Sequence, residues 1–291
     1  MLTVVPGAVS FVAILGLLVH RPSWPVIALM VAMWFVTGVG VSVGYHRYFT
    51  HRSFKTSPFF ATLLALAGMM AAPGPLLSWV ATHRRHHTHS DLDGDPHSPN
   101  LFGASNASRL KGLLHSQYGW MRGHDFANPF FYCRDLLRVP RWLALDRYYL
   151  HVVVAGLLVP VFACWVLGAW RFTLDAFVWA GLVRLFVVQS IISSVNSICH
   201  AHGHRSFCTP EKSANNWIVA LLAMGEGWHN NHHAFQTSAF LGLHWWELDL
   251  GGLLIRVLSS LGIVWDVRQP APHLLQAKRA SIHSKLRKSS T

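Results

Sequence analysis

Residues 25–51 read PVIALMVAMWFVTGVGVSVGYHRYFTH, and this stretch decides the fold class. No charged side chain interrupts it from Pro25 to Gly44. About 20 helical residues suffice to cross the hydrocarbon core of a bilayer. The run then ends on His46-Arg-Tyr-Phe-Thr-His51. An apolar span that delivers histidines to one membrane surface is the pattern on which the rest of the chain builds.

Three more runs have this character: 2–19, about 149–168 and about 174–198. Arg21-Pro22-Ser23-Trp24-Pro25 separates the first from the second, and Trp170-Arg171-Phe172 the third from the fourth. The sequence thus predicts four membrane helices arranged as two hairpins. The first run has no basic stretch before it and no small-residue cleavage site, so it reads as a retained helix. A fifth run, Pro58 to Leu77, is broken by Pro73-Gly74-Pro75. If it spanned, His51 and His83 would fall on opposite faces of the membrane, so it reads as a re-entrant or interfacial helix. Gly251 to Trp265 carries Arg256 and reads as an amphipathic helix on the membrane surface. The tail from Lys278 is basic and polar, either a solvated end or a weak contact for anionic lipid.

Composition agrees. The 291 residues are 52% hydrophobic and 12% charged, about half the charge of a soluble domain. That excludes a disordered chain and argues against an ordinary soluble one. Lys and Arg outnumber Asp and Glu by 24 to 12. All but Arg21, Arg171 and Arg184 lie in segments 45–148 and 199–291. By the positive-inside rule those segments and both termini are cytoplasmic, in an inner membrane. The basic residues are too sparse, and too little interleaved with aromatics, for nucleic acid. Cys133, Cys164, Cys199 and Cys208 form no C-x-x-C pair, which argues against an iron–sulfur or thioredoxin site. No dinucleotide motif follows a strand; Gly38, Gly40 and Gly44 read as positions of close helix packing. The organisation is one domain, 1–277, with an all-α cap from 45–148 and 199–277, and a tail from 278 to 291.

The 20 histidines carry the chemistry. Beside His46 and His51 stand His83-Arg-Arg-His86-His87, His229-Asn-Asn-His232-His233 and Asn196-Ser-Ile-Cys-His200. Positions i, i+3 and i+4 share a helical face, and the outer two diverge by about 100°. One such triplet can feed two metal ions, and two facing triplets can bracket a dinuclear site. The i, i+5 spacing of His46 and His51 does not fit one α-helical face, so His51 is expected after the chain turns. Asn196 and His200, at i, i+4, share a face. Imidazole suits zinc, copper, iron and nickel. A carboxylate-bridged site would want about four Glu and two Glu-x-x-His pairs. Only Glu211, Glu226 and Glu247 exist, with one such pair, Glu226–His229. Catalytic zinc needs only three protein ligands. Two redox metals, iron above all, use nine clustered histidines best. His20, His115, His124, His151, His244, His273 and His283 read as surface or core residues. His89, His97, His202 and His204 stay open between supporting the ligands and lying on the surface.

The stretches GYHRYFTHRSF, HRRHHTHSDLDGDPHSP, NSICHAHGHRSF and GEGWHNNHHAF resemble those of the integral-membrane fatty acyl desaturases. The similarity is to the acyl-CoA Δ9 (stearoyl-CoA type) branch, and Gly242-Leu-His-Trp-Trp-Glu247 looks like its bacterial members. The resemblance covers most of residues 25–270. It implies four transmembrane helices and a cytosolic helical cap around two irons, Fe2+ when reduced. One iron would take His46, His51, His83, His87 and His232. The other would take His86, His200, His229 and His233, with Asn196 reaching it through a water. Asp91, Asp95 and Glu226 would orient imidazoles, simple solvation being the alternative. The implied reaction is O2-dependent insertion of a cis Δ9 double bond into a saturated acyl thioester, acyl-CoA being the expected form, with acyl carrier protein or phospholipid left open as the carrier. Its two electrons come from an external ferredoxin- or cytochrome-type donor. No acid or base beyond the metal ligands is called for. Trp79 would line the bend of a substrate tunnel. Ile192 and Ser193 stand where animal members carry Thr-Trp, which leaves tunnel shape and regioselectivity open.

Other residues are read from position. Trp34 and Gly38 lie roughly 18 and 12 Å up an α-helix from His46, so Trp34 is either a tunnel floor or a packed aromatic. Arg52, Lys55 and Arg84 are candidate contacts for a phosphate-bearing headgroup, with a plain positive-inside role beside it. Arg184 is either functional or snorkels to the outer interface. Two rival functions remain: a membrane hydroxylase of lipids or alkanes, and a histidine-rich metal transporter, which would want its ligands at the bilayer midplane.

Overall fold

The computed structural model describes residues 4–16, 21–123 and 126–278, with side chains from Pro6 onward. His20, His124 and His283 lie outside the described residues, as does the tail beyond Lys278. The elements are α1 (Val4–Gly16), α2 (Trp24–Thr50), α3 (Pro58–Met69), α4 (Leu76–His89), α5 (Asn106–Gln117), α6 (Pro140–Arg147), α7 (Tyr149–Val166), α8 (Trp170–Ser197), α9 (Trp217–Leu222), α10 (His229–Ala234) and α11 (Leu250–Ser260). Shorter turns connect them. The two-residue strands β1 (Lys55–Thr56) and β2 (Val264–Trp265) pair antiparallel.

Among the described residues, three helices are long and apolar enough to cross a membrane: α2, α7 and α8. The first expected span is represented by α1, of which the 13 residues Val4–Gly16 are described. Helix α8 packs against α1, α2 and α7. Residue ranges also shift. Helix α2 does not stop at Gly44 but runs on to Thr50, so His46 lies inside a continuous helix.

Gly40–Thr50 of α2 is π-helical, and Ala176–Val183 of α8 is another π segment. The His51 N–H bonds the His46 carbonyl at 3.1 Å, closing the wider i→i+5 ring. The segment packs in close backbone contact with α3. A side chain at Gly40 would strike Gly68 and Ala67, and one at Gly44 would come within 2.9 Å of the Leu64 carbonyl.

Helix α3 starts on a built-in cap. Ser57 accepts the Phe60 N–H and Pro58 occupies the first turn, where its missing N–H costs nothing. Twelve residues later it ends, too soon to cross. Its terminal carbonyls would be orphaned in an apolar setting, where each must find a partner. Arg184 Nη1 donates to the Met70 carbonyl at 2.9 Å. Gln189 Nε2 donates to the carbonyls of Ala71 at 3.3 Å and Ala72 at 2.8 Å. Arg184 Nη2 also reaches the Gly156 carbonyl at 3.1 Å. Pro160 lies inside α7 and cannot supply the N–H that Gly156 would normally receive. Arg184 therefore does not snorkel: it is fully buried and caps carbonyls of two other helices.

After the turn at 70–75, α4 runs back and brings His83 to within 5.4 Å of His51, ring centre to ring centre. Helix α11 caps its own N-terminus through Asp249, which accepts the Gly252 N–H at 2.8 Å. It buries Ile255 and Leu258 against Phe54, Leu64 and Val264, leaving Leu253 and Val257 exposed.

Candidate metal centre

Four elements deliver nine imidazoles to one place. The ligand atoms of His46, His51, His83, His87 and His232 all lie within 4.8 Å of one another, and so do those of His86, His200, His229 and His233. The two triplets are used in opposite senses. On α4 the first and last histidines go to the first group and His86 to the second. On α10, His229 and His233 go to the second group and His232 to the first. Six-residue α10 is too short to hold itself. Asn215 Oδ1 accepts the N–H groups of Asn230 and Asn231 at 2.9 and 3.2 Å, and Asn231 Nδ2 donates to Glu247 at 2.8 Å.

The far side of several rings is held by carboxylates. His200 Nδ1 faces Asp91 at 2.9 Å, His86 Nδ1 faces Asp95 at 3.0 Å, and His46 Nδ1 faces Glu226 at 2.6 Å. Asp91 further accepts from Ser98, Asn100 and the Lys212 backbone. Glu211 stands 3.6 Å from His233 Nδ1. His97 sits against Asp95 and His86, whereas His202 is exposed.

Burial acts against the charged form of Asp91, Asp95 and Glu226. Hydrogen bonds and charge from His200, His86 and His46 respectively outweigh it and hold all three carboxyls below their usual range. Burial, reinforced by neighbouring histidines, holds His51, His83, His87, His229, His232 and His233 well below the ordinary imidazole value. His97 is pushed down to about 3 by burial and by His86. Those six ligand rings are therefore neutral, as metal ligation requires.

The donor set fits two transition-metal ions. An imidazole that donates from Nδ1 to a carboxylate carries a lone pair on Nε2. His200 Nε2 and His229 Nε2 nevertheless approach to 3.0 Å, His46 and His232 to 3.1 Å, and His87 and His232 to 2.9 Å. The Nε2 atoms of His51 and His86 are buried without a partner. Ring nitrogens converging in this way form a donor set that a bound cation can share.

The centre opens onto an apolar cavity of about 250 Å3. His46, His83 and His229 line it. Trp34, Gly38, Trp79, Ile192, Ser193 and Asn196 all line its wall, with the turn Ala72–Pro75. Trp79 stacks on His83 at 5.1 Å. The three headgroup candidates are all engaged. Arg84 bonds Asp135 at 2.7 Å and the carbonyls of Phe49, Thr50 and Tyr132. Arg52 also pairs with Asp135, and Lys55 with Asp266 at 2.7 Å.

Sequence reasoning missed Glu211, Asn215 and the buried pair behind Glu226. Arg47 is fully buried, bonds Asp249 at 2.8 Å and reaches Glu226 at 3.4 Å. The one signal for it was a charged residue next to a candidate ligand in an apolar helix.

A family model described as fatty acid desaturase matches residues 22–255. The chain belongs to the fatty acid desaturase family. It is 45% identical over 256 residues to a hex-5-enoyl-[acyl-carrier protein] acetylenase of Moorena producens (strain JHB), covering 87% of this chain and 80% of that one. It is 38% identical to an sn-1 stearoyl-lipid 9-desaturase of Anabaena variabilis, covering 84% and 85% respectively. An acyl-CoA 5-desaturase of Anemone leveillei is 35% identical, covering 86% and 74%. This desaturase-family chain is an oxidoreductase, with histidine groups able to bind metal and helices able to cross a membrane. Its relatives' names span three acyl carriers and several positions of attack.

Proposed function

We propose that the protein is an O2-dependent acyl desaturase with two irons. One is held by His46, His51, His83, His87 and His232, and the other by His86, His200, His229 and His233, with Asn196 beside it on the cavity wall. The observation that carries this reading is the convergence of nine imidazoles in two groups, with His46, His83 and His229 lining an apolar cavity. The irons, when bound, supply reductive activation of O2 and the oxidising power to take hydrogen from an unactivated chain. The chain's own residues do the rest. Asp91, Asp95 and Glu226 hold the Nδ1 protons of His200, His86 and His46 and so aim their Nε2 lone pairs. Trp79, stacked on His83, walls the chain at the bend, and the apolar lining excludes water. Trp34 closes the far end and limits chain length.

The product we assign first is a cis Δ9 alkene in an acyl thioester, made with two electrons from an external donor at the cytoplasmic face of an inner membrane. The 45% relationship to an acetylenase favours a second reading, removal of two further hydrogens from an alkene. Expression in a host fed saturated and terminally unsaturated acids separates them. Mass spectrometry then reports a new alkene, an alkyne or an alcohol, and its position. His86→Ala should abolish the product and lower iron per chain. Unchanged product from that variant would refute the ligand assignment.

A further inference from the structure

One buried polar atom in the cavity wall has no partner. Gln189 lines the cavity and is only 8% exposed. Its Nε2 is committed to the Ala71 and Ala72 carbonyls, which fixes which end of the amide is which. Its Oε1 is buried and accepts nothing. An unsatisfied buried acceptor is costly enough that native interiors rarely leave one. Here the rest of the wall is mostly apolar.

The position of this atom says what would meet it. Gln189 lies seven residues before Asn196 on α8, roughly 10 Å along the helix axis. Trp34 on α2 and Ala72 in the turn are each eleven or twelve residues from a histidine of the centre. Gln189 touches Ala72. Trp34 packs in one apolar cluster with Ala71, so the three line the cavity well up α2 and α8 from the ligands, on the course a bound chain takes beyond the reacting carbons. Along α8, Gln189, Ser193 and Asn196 all line the cavity, at the i, i+4, i+7 spacing of one helical face.

We propose that Gln189 is a specificity-determining residue that accepts a hydrogen bond from the tip of the acyl chain. The cavity then takes chains with a donor at the methyl end, such as an ω-hydroxyl, in preference to plain chains of the same length. This rests on the acyl-desaturase reading and narrows its substrate class.

The test is a competition. Cells expressing the protein receive an equimolar pair, a saturated acid and its ω-hydroxy counterpart, across a series of chain lengths. The ratio of dehydrogenated products is read by mass spectrometry, and a ratio is independent of how much enzyme folds. The expected result is a preference of about tenfold for the hydroxylated acid at the length that reaches Gln189, consistent with the worth of one buried hydrogen bond. Gln189→Leu should erase it. Gln189→Glu, kept neutral by its apolar surroundings, retains a carbonyl oxygen and should preserve it. Equal use of both acids by the unaltered protein at every length, or the same preference in Gln189→Leu, would overturn the proposal. Turnover of plain acids without preference defeats this inference alone, whereas no dehydrogenation of any acid defeats the enzymatic reading beneath it.

Discussion

At the scale of single residues, the carboxylates behind the imidazoles set the chemistry. Asp95 holds His86 and Asp91 holds His200. Removing such an orienting partner typically lowers metal affinity or activity about 10–100-fold. Asp95→Asn and Asp91→Asn should therefore purify with less iron per chain and lose activity in proportion, as checked by elemental analysis beside product yield. Acid should act on the same atoms. The buried histidines stay neutral when folded, while an unfolded chain takes up protons below about pH 6.5. Their contribution to stability is thus complete above that value and is lost as pH falls below it. Protons compete with metal in the same direction. A titration from neutral to mildly acid pH should show iron release and a falling unfolding temperature together, and a stability flat from pH 7 to 5 would contradict it. Much of this layer was legible in the sequence, because i, i+3, i+4 histidine triplets have one geometric meaning. Glu211 and Asn215 were not, because they reach the centre from a loop whose path no local spacing reveals.

At the scale of elements, the π segment of α2 decides how the first histidine pair works. On an α-helix His46 would lie about 120° around from Trp34, and His51 about 140° around from His46. A π-helix turns only roughly 80° per residue. That brings His46 back beneath Trp34 and sets the His46 and His51 rings 4.7 Å apart. The spacing alone pointed to a turn after the helix. The π geometry lies where α3 packs against Gly40 and Gly44, a tertiary setting that no helical wheel contains. Gly40→Ala should reduce folded yield sharply, since its new methyl meets α3 backbone, and size-exclusion profiles in detergent would report it. The Arg184 cap makes a second element-level prediction. Arg184→Leu strands the Met70 and Gly156 carbonyls, at about 1–3 kcal/mol each. Adding Pro160→Ala restores an N–H to Gly156 and should recover about one such increment in thermal unfolding. No recovery would mean that Gly156 is not the carbonyl at stake.

At the scale of the whole molecule, the excess of 24 basic over 12 acidic residues is carried by the segments outside the spans. A donor that brings electrons to this face should be acidic, and its association should be steered by charge. With an acidic ferredoxin-type donor, the apparent rate should drop several-fold between low and high salt, while product from a chemical reductant stays level. The number of spans was the least legible feature at this scale. Leu2 to Val19 has the hydropathy of a crossing helix, of which 13 residues are described, as α1.

The caps on α3 also bear on how the protein is made. The carbonyls of residues 70–72 wait for donors at positions 184 and 189, which leave the ribosome more than a hundred residues later. Until α8 has been threaded through the translocon, the α3–α4 loop has no stable place among lipid tails and must be sheltered by water or by insertion machinery. The catalytic chamber thus closes only after α8 is made, and a nascent chain stalled short of Gln189 should leave that loop open to proteases.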